Sequence, residues 1–240
     1  MNTRFCPTTN GYLHIGHAYM ALVNECEAKK SGGQMHVLLD DIQPWWRNQL
    51  GDKIGEYSRA AVEDLQWLGI KIGDVVSQHD RYDEIADDLE YLGFLENPLT
   101  GNPTLDYDAA AFAIVGEPGR HFYPYVPFLT VCKVVWDRRL GVTHVIRGDD
   151  LITEMSLYAH YCTRLGCPIP RQTFLPRLRL EQGELTDVSK TTGNWKLHGL
   201  RDQGWTAASV RRCLADSCLI DRTGEWTANN IKPCPILETK

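Results

Sequence analysis

An α/β fold built on a parallel sheet is predicted for this 240-residue chain by two observations. A glycine turn, a helix and a short apolar run follow one another at the start, and a second apolar run in mid-chain ends in a cluster of polar residues. In order, Gly11 to His17 form a glycine-punctuated turn that leads into a helix over about Ala18 to Lys30, stopped by Ser31-Gly32-Gly33. Met35 to Ile42 (MHVLLDDI) reads as a buried strand. Ile54, Tyr57, Ala61, Leu65 and Leu68 step by three and four, as on one helix face, with Gly69 at the end. Tyr82, Ile85, Leu89 and Leu92 repeat that spacing up to Gly93. Five prolines and three glycines break the stretch from Glu96 to Pro127, a compact insert too small for a large core of its own. Two apolar runs follow, Thr130 to Trp136 and Val142 to Ile146, both read as strands; the second leads into Arg147-Gly148-Asp149-Asp150 and a helix over about Thr153 to Leu165. Phe174 to Leu180, the turn Glu181-Gln182-Gly183 and the polar stretch Thr186 to Asn194 read as a hairpin flowing into a loop. A helix from near Thr206, with Val210, Cys213 and Leu214 on one face, closes the regular part.

Composition is that of a soluble globular protein, 43% hydrophobic and 23% charged, which excludes collagen, coiled coil and disorder. No run approaches the roughly 18 apolar residues of a membrane span, and the start is too broken by Gly, His and Pro for a signal peptide. Eight cysteines without a secretory signal read as reduced thiols, so the expected compartment is the cytoplasm. A net charge of -6 argues against a wholesale basic coat for nucleic acid while allowing a local basic groove.

Three clusters carry chemistry. In RFCPTTNGYLHIGH, His14 and His17 lie three apart at the mouth of the first helix, beside Gly16 and free backbone N–H groups. A helix N-terminus attracts anions, so two imidazole donors there suit a polyphosphate whose charge grows in a transition state. Val188-Ser189-Lys190 lies on a Thr/Gly-rich loop from which an ammonium can reach a phosphate, although a solvated loop lysine fits the same residues. Arg147-Gly148-Asp149-Asp150 sits at a strand end, where a surface turn with an incidental ion pair is the alternative.

Together, in this order, the clusters resemble the catalytic domain of the class I glutamyl- and glutaminyl-tRNA synthetases. RFCPTTNGYLHIGHA is similar to the family's RFxPxPxGxLHIGxA, LGVTHVIRGDD to its LGITHVIRGxD, and VSK to the Ser-Lys of its Lys-Met-Ser-Lys-Ser loop. The likeness covers Thr3 to about Ile72, Thr130 to Gly166 and Leu175 to Ile220. It implies a Rossmann-like nucleotide-binding sheet of the HIGH type and a division into four parts. These are a first catalytic half over 1–95, a reduced insert over 96–127, a second half with the Ser-Lys loop over 128–194, and a short helical appendage over 195–240. The activity it implies is ATP-dependent activation of glutamate or a close analogue to an aminoacyl-adenylate. ATP with Mg²⁺ is the implied cofactor, zinc is not expected, and the chain would act as a monomer with the tRNA acceptor end as partner.

Residue by residue, the resemblance assigns His14, His17 and Gly16 to the triphosphate, Lys190 backed by Ser189 and Val188 to the departing pyrophosphate, and Asp150 to the adenosine side. Arg4 and Arg147 fall at positions that meet the end of the amino-acid side chain, Asp40 at the carboxylate for the α-ammonium, and Thr8 in the same pocket. Departures stand beside these matches. Leu129 replaces a pocket tyrosine unless a four-residue slip brings in Tyr125, an even slip that keeps one strand face. Lys133 replaces a small or amide residue, and either enters the pocket or snorkels to solvent. Asp187 stands where the loop's first lysine would be, and the insert carries no cysteine for a zinc knuckle. The Asp187 and Leu129 departures leave a non-catalytic ATP- and amino-acid-binding paralogue as an alternative, the acidic net charge and small insert leave transfer to a non-tRNA acceptor, and the H-x-G-H pattern also fits a small nucleotidyltransferase.

Overall fold

The computed structural model describes residues 1–42, 53–92, 126–176, 179–182, 184–187 and 195–217. In chain order the elements are β1 (Thr3–Phe5), α1 (Ile15–Lys30), β2 (Met35–Leu39), α2 (Lys53–Trp67) and β3 (Ile72–Ser77). A 3₁₀ turn (Tyr82–Ile85) runs into α3 (Ala86–Tyr91), followed by α4 (Val126–Arg139) and β4 (His144–Gly148). A second 3₁₀ segment (Asp149–Glu154) runs into α5 (Met155–Arg164), and β5 (Arg171–Leu175), the hairpin β6 (Arg179–Gln182) and β7 (Glu184–Asp187), α6 (Leu197–Asp202) and α7 (Ala207–Ser217) complete the order.

Five strands form one parallel sheet in the order β3-β2-β1-β4-β5, an α/β Rossmann-like arrangement. The chain winds outward from β1 through β2 to β3, then returns to the other side of β1 for β4. A crevice therefore opens beyond the carboxyl ends of β1 and β4, the point at which open α/β sheets receive ligands. Strand β2 is buried at every residue, as a central parallel strand with helices on both faces must be. Its side chains alternate between two cores. Met35, Val37 and Leu39 join α1, α2, α6 and α7 on one face, while Leu38 joins α3, α4 and α5 on the other.

Helix α1 ends where the sequence places its stop. Gly32 adopts φ 68°, and the N–H groups of Gly32 and Gly33 reach back to the carbonyls of Lys29 and Ala28, the two bonds of a Schellman motif. Gly69 ends α2 in the same way, with φ 73° and bonds from Gly69 and Ile70 to Gln66 and Leu65. Most apolar positions assigned to the helices are buried as expected, among them Leu65, Leu68, Tyr82, Ile85, Leu89, Val210 and Leu214, whereas Ile54 and Tyr57 at the start of α2 are half-buried.

Four expectations are corrected. Thr130 to Trp136 is helix, the body of α4, not strand. Phe128 to Asp137 is buried except at Lys133, and a helix buried all round shows no 3.6-residue period. Its Val-rich stretch, in a segment of 14 residues, is too long for an ordinary strand. The run Phe174 to Leu180 is divided, with β5 ending at Leu175 in the parallel sheet and the hairpin beginning at Arg179. The sequence pattern gives no strand at β3 and only the last two residues of β5, because both lie at sheet edges and carry polar residues, IGDVVS and RQTFL. Cys6, Cys26, Cys132, Cys162 and Cys167 are free thiols, but Cys213 is disulfide-bonded to a partner outside the described residues. Residues 96–125 of the expected insert also lie outside them. Among the described residues, no helix is long and apolar enough to cross a membrane.

Asp64 of α2 is 1% exposed, and its Oδ2 has no hydrogen-bond partner. Burial raises its pKa to about 7 against the opposing charge of Arg201. The unfolded carboxyl titrates near 4, so the contribution of Asp64 to stability is full below about pH 4 and is lost as pH rises through about 7. Asp64→Asn is therefore expected to gain about 2 kcal/mol more at pH 8 than at pH 4 in denaturant unfolding. An equal effect at the two pH values would contradict this.

Candidate active site

The helix that opens beside the crevice is capped by histidines. His14, in extended backbone (φ -121°, ψ 173°), is the N-cap of α1, and its Nδ1 accepts the Gly16 N–H at 3.1 Å. His17, three residues on, returns the bond, its Nδ1 accepting the His14 N–H at 3.1 Å. This is a capping box with imidazoles in place of the usual hydroxyl and carboxylate. A nitrogen that accepts a hydrogen bond carries no proton, so Nε2–H is the donor of each ring. The rings lie against one another with centroids 3.8 Å apart, and Phe5 meets His17 edge-on.

Around β1, β4 and the carboxyl end of β2 lies a buried charged cluster. Arg4, 3% exposed, donates through Nε to both oxygens of Asp137, at 2.9 and 3.2 Å, and Asp137 also accepts the Tyr158 hydroxyl at 2.7 Å. Arg147, 4% exposed, donates from Nη1 to Glu154 at 3.3 Å and lies between the rings of Tyr158 and Phe174, 5.7 and 5.4 Å from their centroids. Asp40 is held by a parallel bridge to Thr8, whose Oγ1 donates to Oδ2 at 3.1 Å.

Lys133 settles one open alternative. Its Nζ stands 3.8 Å from Asp40 Oδ2 and its side chain is 13% exposed, so it turns into the cluster and does not snorkel. Burial works against its charge, yet Asp40 and Glu154 outweigh it and its pKa is raised. For Arg147, burial first and then the charge of Arg4 lower the pKa, the mark of a cation with too few anions. Cys6 lies in the fields of Arg4, Lys133 and Asp40, and burial pushes its thiol up to about 11, too high for a nucleophilic thiolate.

The cluster leaves specific atoms unsatisfied: Arg4 Nη2, Arg147 Nε and Nη2, and Asp40 Oδ1 are buried without a hydrogen-bond partner. Buried polar atoms are nearly always paired, so donors and an acceptor left open together could hold a ligand with an anionic end and a cationic one.

The remaining expected residues divide. Leu129, one helical turn before Lys133, is 6% exposed and belongs to the core beneath α4. Leu129 lies in a helix, so the strand-face argument for a four-residue slip does not hold; Tyr125 lies outside the described residues. Asp150 is exposed in the 3₁₀ segment after β4, and a Cβ on Gly148 would fall 2.3 Å from its Oδ1. Val188, Ser189 and Lys190 lie outside the described residues, and the chain is described again from Trp195. Sequence reasoning missed Asp137, Glu154, Tyr158 and Phe174, for which no motif gave a signal. A separate cleft of about 630 Å³ lies one strand away, lined by Asp41, Ser77 and His79 and by α2 residues including Ser58.

Residues 1–92 match the family model for the catalytic domain of class I (E and Q) tRNA synthetases. Over 266 aligned positions the chain is 29% identical to glutamate–tRNA ligase 2 of Methylobacterium sp. (strain 4-46), an alignment covering 86% of this chain and 58% of that protein. It is 29% identical to glutamate–tRNA ligase 2 of Methylobacterium radiotolerans, with 98% and 63% covered. The chain thus spans about three-fifths of the length of these relatives. Among solved structures, the glutamate–tRNA synthetase of Elizabethkingia anophelis superposes with a TM-score of 0.65 at 17% identity over 94% of this chain and 63% of that one. The tyrosyl-tRNA synthetase of Archaeoglobus fulgidus, complexed with L-tyrosine, gives 0.59 at 19% identity, with 81% and 60% covered. At such identities the superpositions show a shared fold.

Proposed function

We propose that this chain, a relative of the glutamate–tRNA ligases, activates an acidic amino acid with ATP, forming an aminoacyl-adenylate and pyrophosphate. The observation that carries the reading is the set of open buried atoms, Arg4 Nη2, Arg147 Nε and Nη2, and Asp40 Oδ1, on or just after the central strands β1, β2 and β4, with the histidine-capped helix joining β1 to β2. The two guanidinium groups take the side-chain carboxylate of the substrate, and Asp40 Oδ1 accepts its α-ammonium while Thr8 holds the other oxygen. An oxygen of the α-carboxylate attacks the α-phosphorus of ATP. A new O–P bond forms, the bond to the β-phosphate bridge breaks, and the electron pair leaves with pyrophosphate. No protein base is needed, since the attacking carboxylate is already ionised; positioning and charge stabilisation suffice. The Nε2–H donors of His14 and His17 and the start of α1 receive the charge growing on the phosphates. Lys190 and Ser189 attend the departing pyrophosphate and Asp150 the adenosine, roles drawn from the family's pattern. Mg²⁺, the cofactor implied by the resemblance, would accompany the triphosphate and would supply neutralisation of its phosphate charge.

Glutamate is the proposed substrate and the acceptor end of tRNA the proposed acceptor. ATP–pyrophosphate exchange across the twenty amino acids, with and without tRNA, tests the first, and retention of labelled glutamate on tRNA tests the second. No exchange with any amino acid would sink the adenylation reading. A second reading, a non-catalytic binding paralogue, is favoured by one observation, the Lys133 ammonium directed at the carboxylate needed for the α-ammonium. ATP binding without exchange would select it.

Under the first reading Lys133 stands at the α-ammonium end of the pocket, beside Asp40. Lys133→Met is expected to change KM for glutamate and glutamine alike in exchange kinetics, because both carry the same α-ammonium. An unchanged KM for both would remove Lys133 from the pocket.

A further inference from the structure

The family's loop carries two lysines, and this chain has Asp187 in place of the first. The structure shows where another cation stands. Lys196 is the N-cap of α6 and forms an antiparallel bridge with His14, fixed by the Leu197 N–H donating to the Leu13 carbonyl at 2.9 Å. Directly opposed residues in an antiparallel pair project to the same side, with Cα atoms about 4.5–5.5 Å apart. Tyr12, two residues before His14, shares that side. Accordingly the Lys196 Nζ lies over the Tyr12 ring, 5.8 Å from its centroid, and Tyr12 is in turn packed against Tyr57 and His198 and bonded to Glu56. Among the described residues Lys196 makes no ion pair. Its ammonium rests only on a ring face, an attachment worth little at a half-exposed site. The backbone of Lys196 is therefore pinned to the residue that caps α1, while its charge is free to turn toward an anion at that helix start.

We propose that Lys196 is a phosphate-binding residue of this site, a lysine fixed to His14 that supplies the cation missing at Asp187. The assignment rests on the adenylation reading for its chemistry, and its ligand is the triphosphate of ATP or the pyrophosphate it releases. The Tyr12 ring gives the ammonium a resting place from which a polyphosphate withdraws it, because a charge-assisted bond to phosphate outweighs an exposed cation–π contact.

The test is a series of calorimetric titrations with Mg-ATP and with inorganic pyrophosphate. Lys196→Met, which keeps the stem over Tyr12 and leaves the backbone bridge untouched, is expected to weaken both by about 10- to 100-fold, the scale of one charged hydrogen bond. Lys196→Arg is expected to retain affinity, and adding Asp187→Lys to Lys196→Met is expected to recover it, which a merely structural role would not do. Wild-type affinity in Lys196→Met overturns the assignment, as does a loss that neither Arg nor Asp187→Lys restores. A wild-type chain that binds pyrophosphate but exchanges it with no amino acid removes the adenylation reading and leaves the titrations to decide Lys196. One that binds neither probe overturns both.

Discussion

Arg147→Ala is expected to lower kcat/KM for glutamate by about 10³-fold in pyrophosphate exchange, the consequence of leaving a buried charge without its partner, which costs about 3–5 kcal/mol. The guanidinium is held as a rigid fork by Tyr158, Phe174 and Glu154, and its Nε and Nη2 are open. Both atoms can meet one carboxylate without rearrangement, so the site spends no binding energy on ordering. The loss is expected to be much smaller for glutamine, whose amide never used the charge. Arg147→Lys keeps the charge and loses the fork, so it is expected to fall between. A uniform decline across substrates would mean that Arg147 supports the fold around Glu154 and not the substrate.

His14→Asn is expected to reduce the exchange rate by about 10²–10³-fold, the effect of removing one preorganised donor from a developing charge. Asparagine is chosen because His14 has two tasks. Its Nδ1 caps α1 through the Gly16 N–H, and asparagine is as good an N-cap as any residue. His14→Ala loses the cap as well and is expected to cost about 1 kcal/mol of stability in addition. A melting temperature near that of the wild type in His14→Asn, together with the lost rate, assigns the defect to the Nε2–H donor. A wild-type rate would remove the imidazole from the chemistry.

The parts legible in the sequence were those whose cause is local. Gly32 and Gly69 announce helix ends because a left-handed residue is needed there, and β2 announces itself because a strand covered on both faces is apolar throughout. His14 and His17 meet because three residues in a first helical turn bring them together. The failures have the opposite character. The Val-rich body of α4 mimics a strand since burial on every side erases the helical period, and the edge strands β3 and β5 are polar because one side of each is uncovered. Asp137 pairs with Arg4 across 133 positions of chain, a separation no spacing rule spans. The direction of Lys133 depends on α4 being a helix and on where that helix lies over Asp40, so it became legible only with the fold.

The central claim, that a carboxylate oxygen attacks the α-phosphorus, is tested most directly by isotope transfer. Glutamate labelled with ¹⁸O in its carboxylates is incubated with ATP and the protein, and the product is cleaved with hydroxylamine, which attacks the acyl carbon and leaves the bridging oxygen on phosphorus. The account predicts glutamyl hydroxamate and AMP carrying one ¹⁸O. Unlabelled AMP, or ADP in place of AMP, would contradict it.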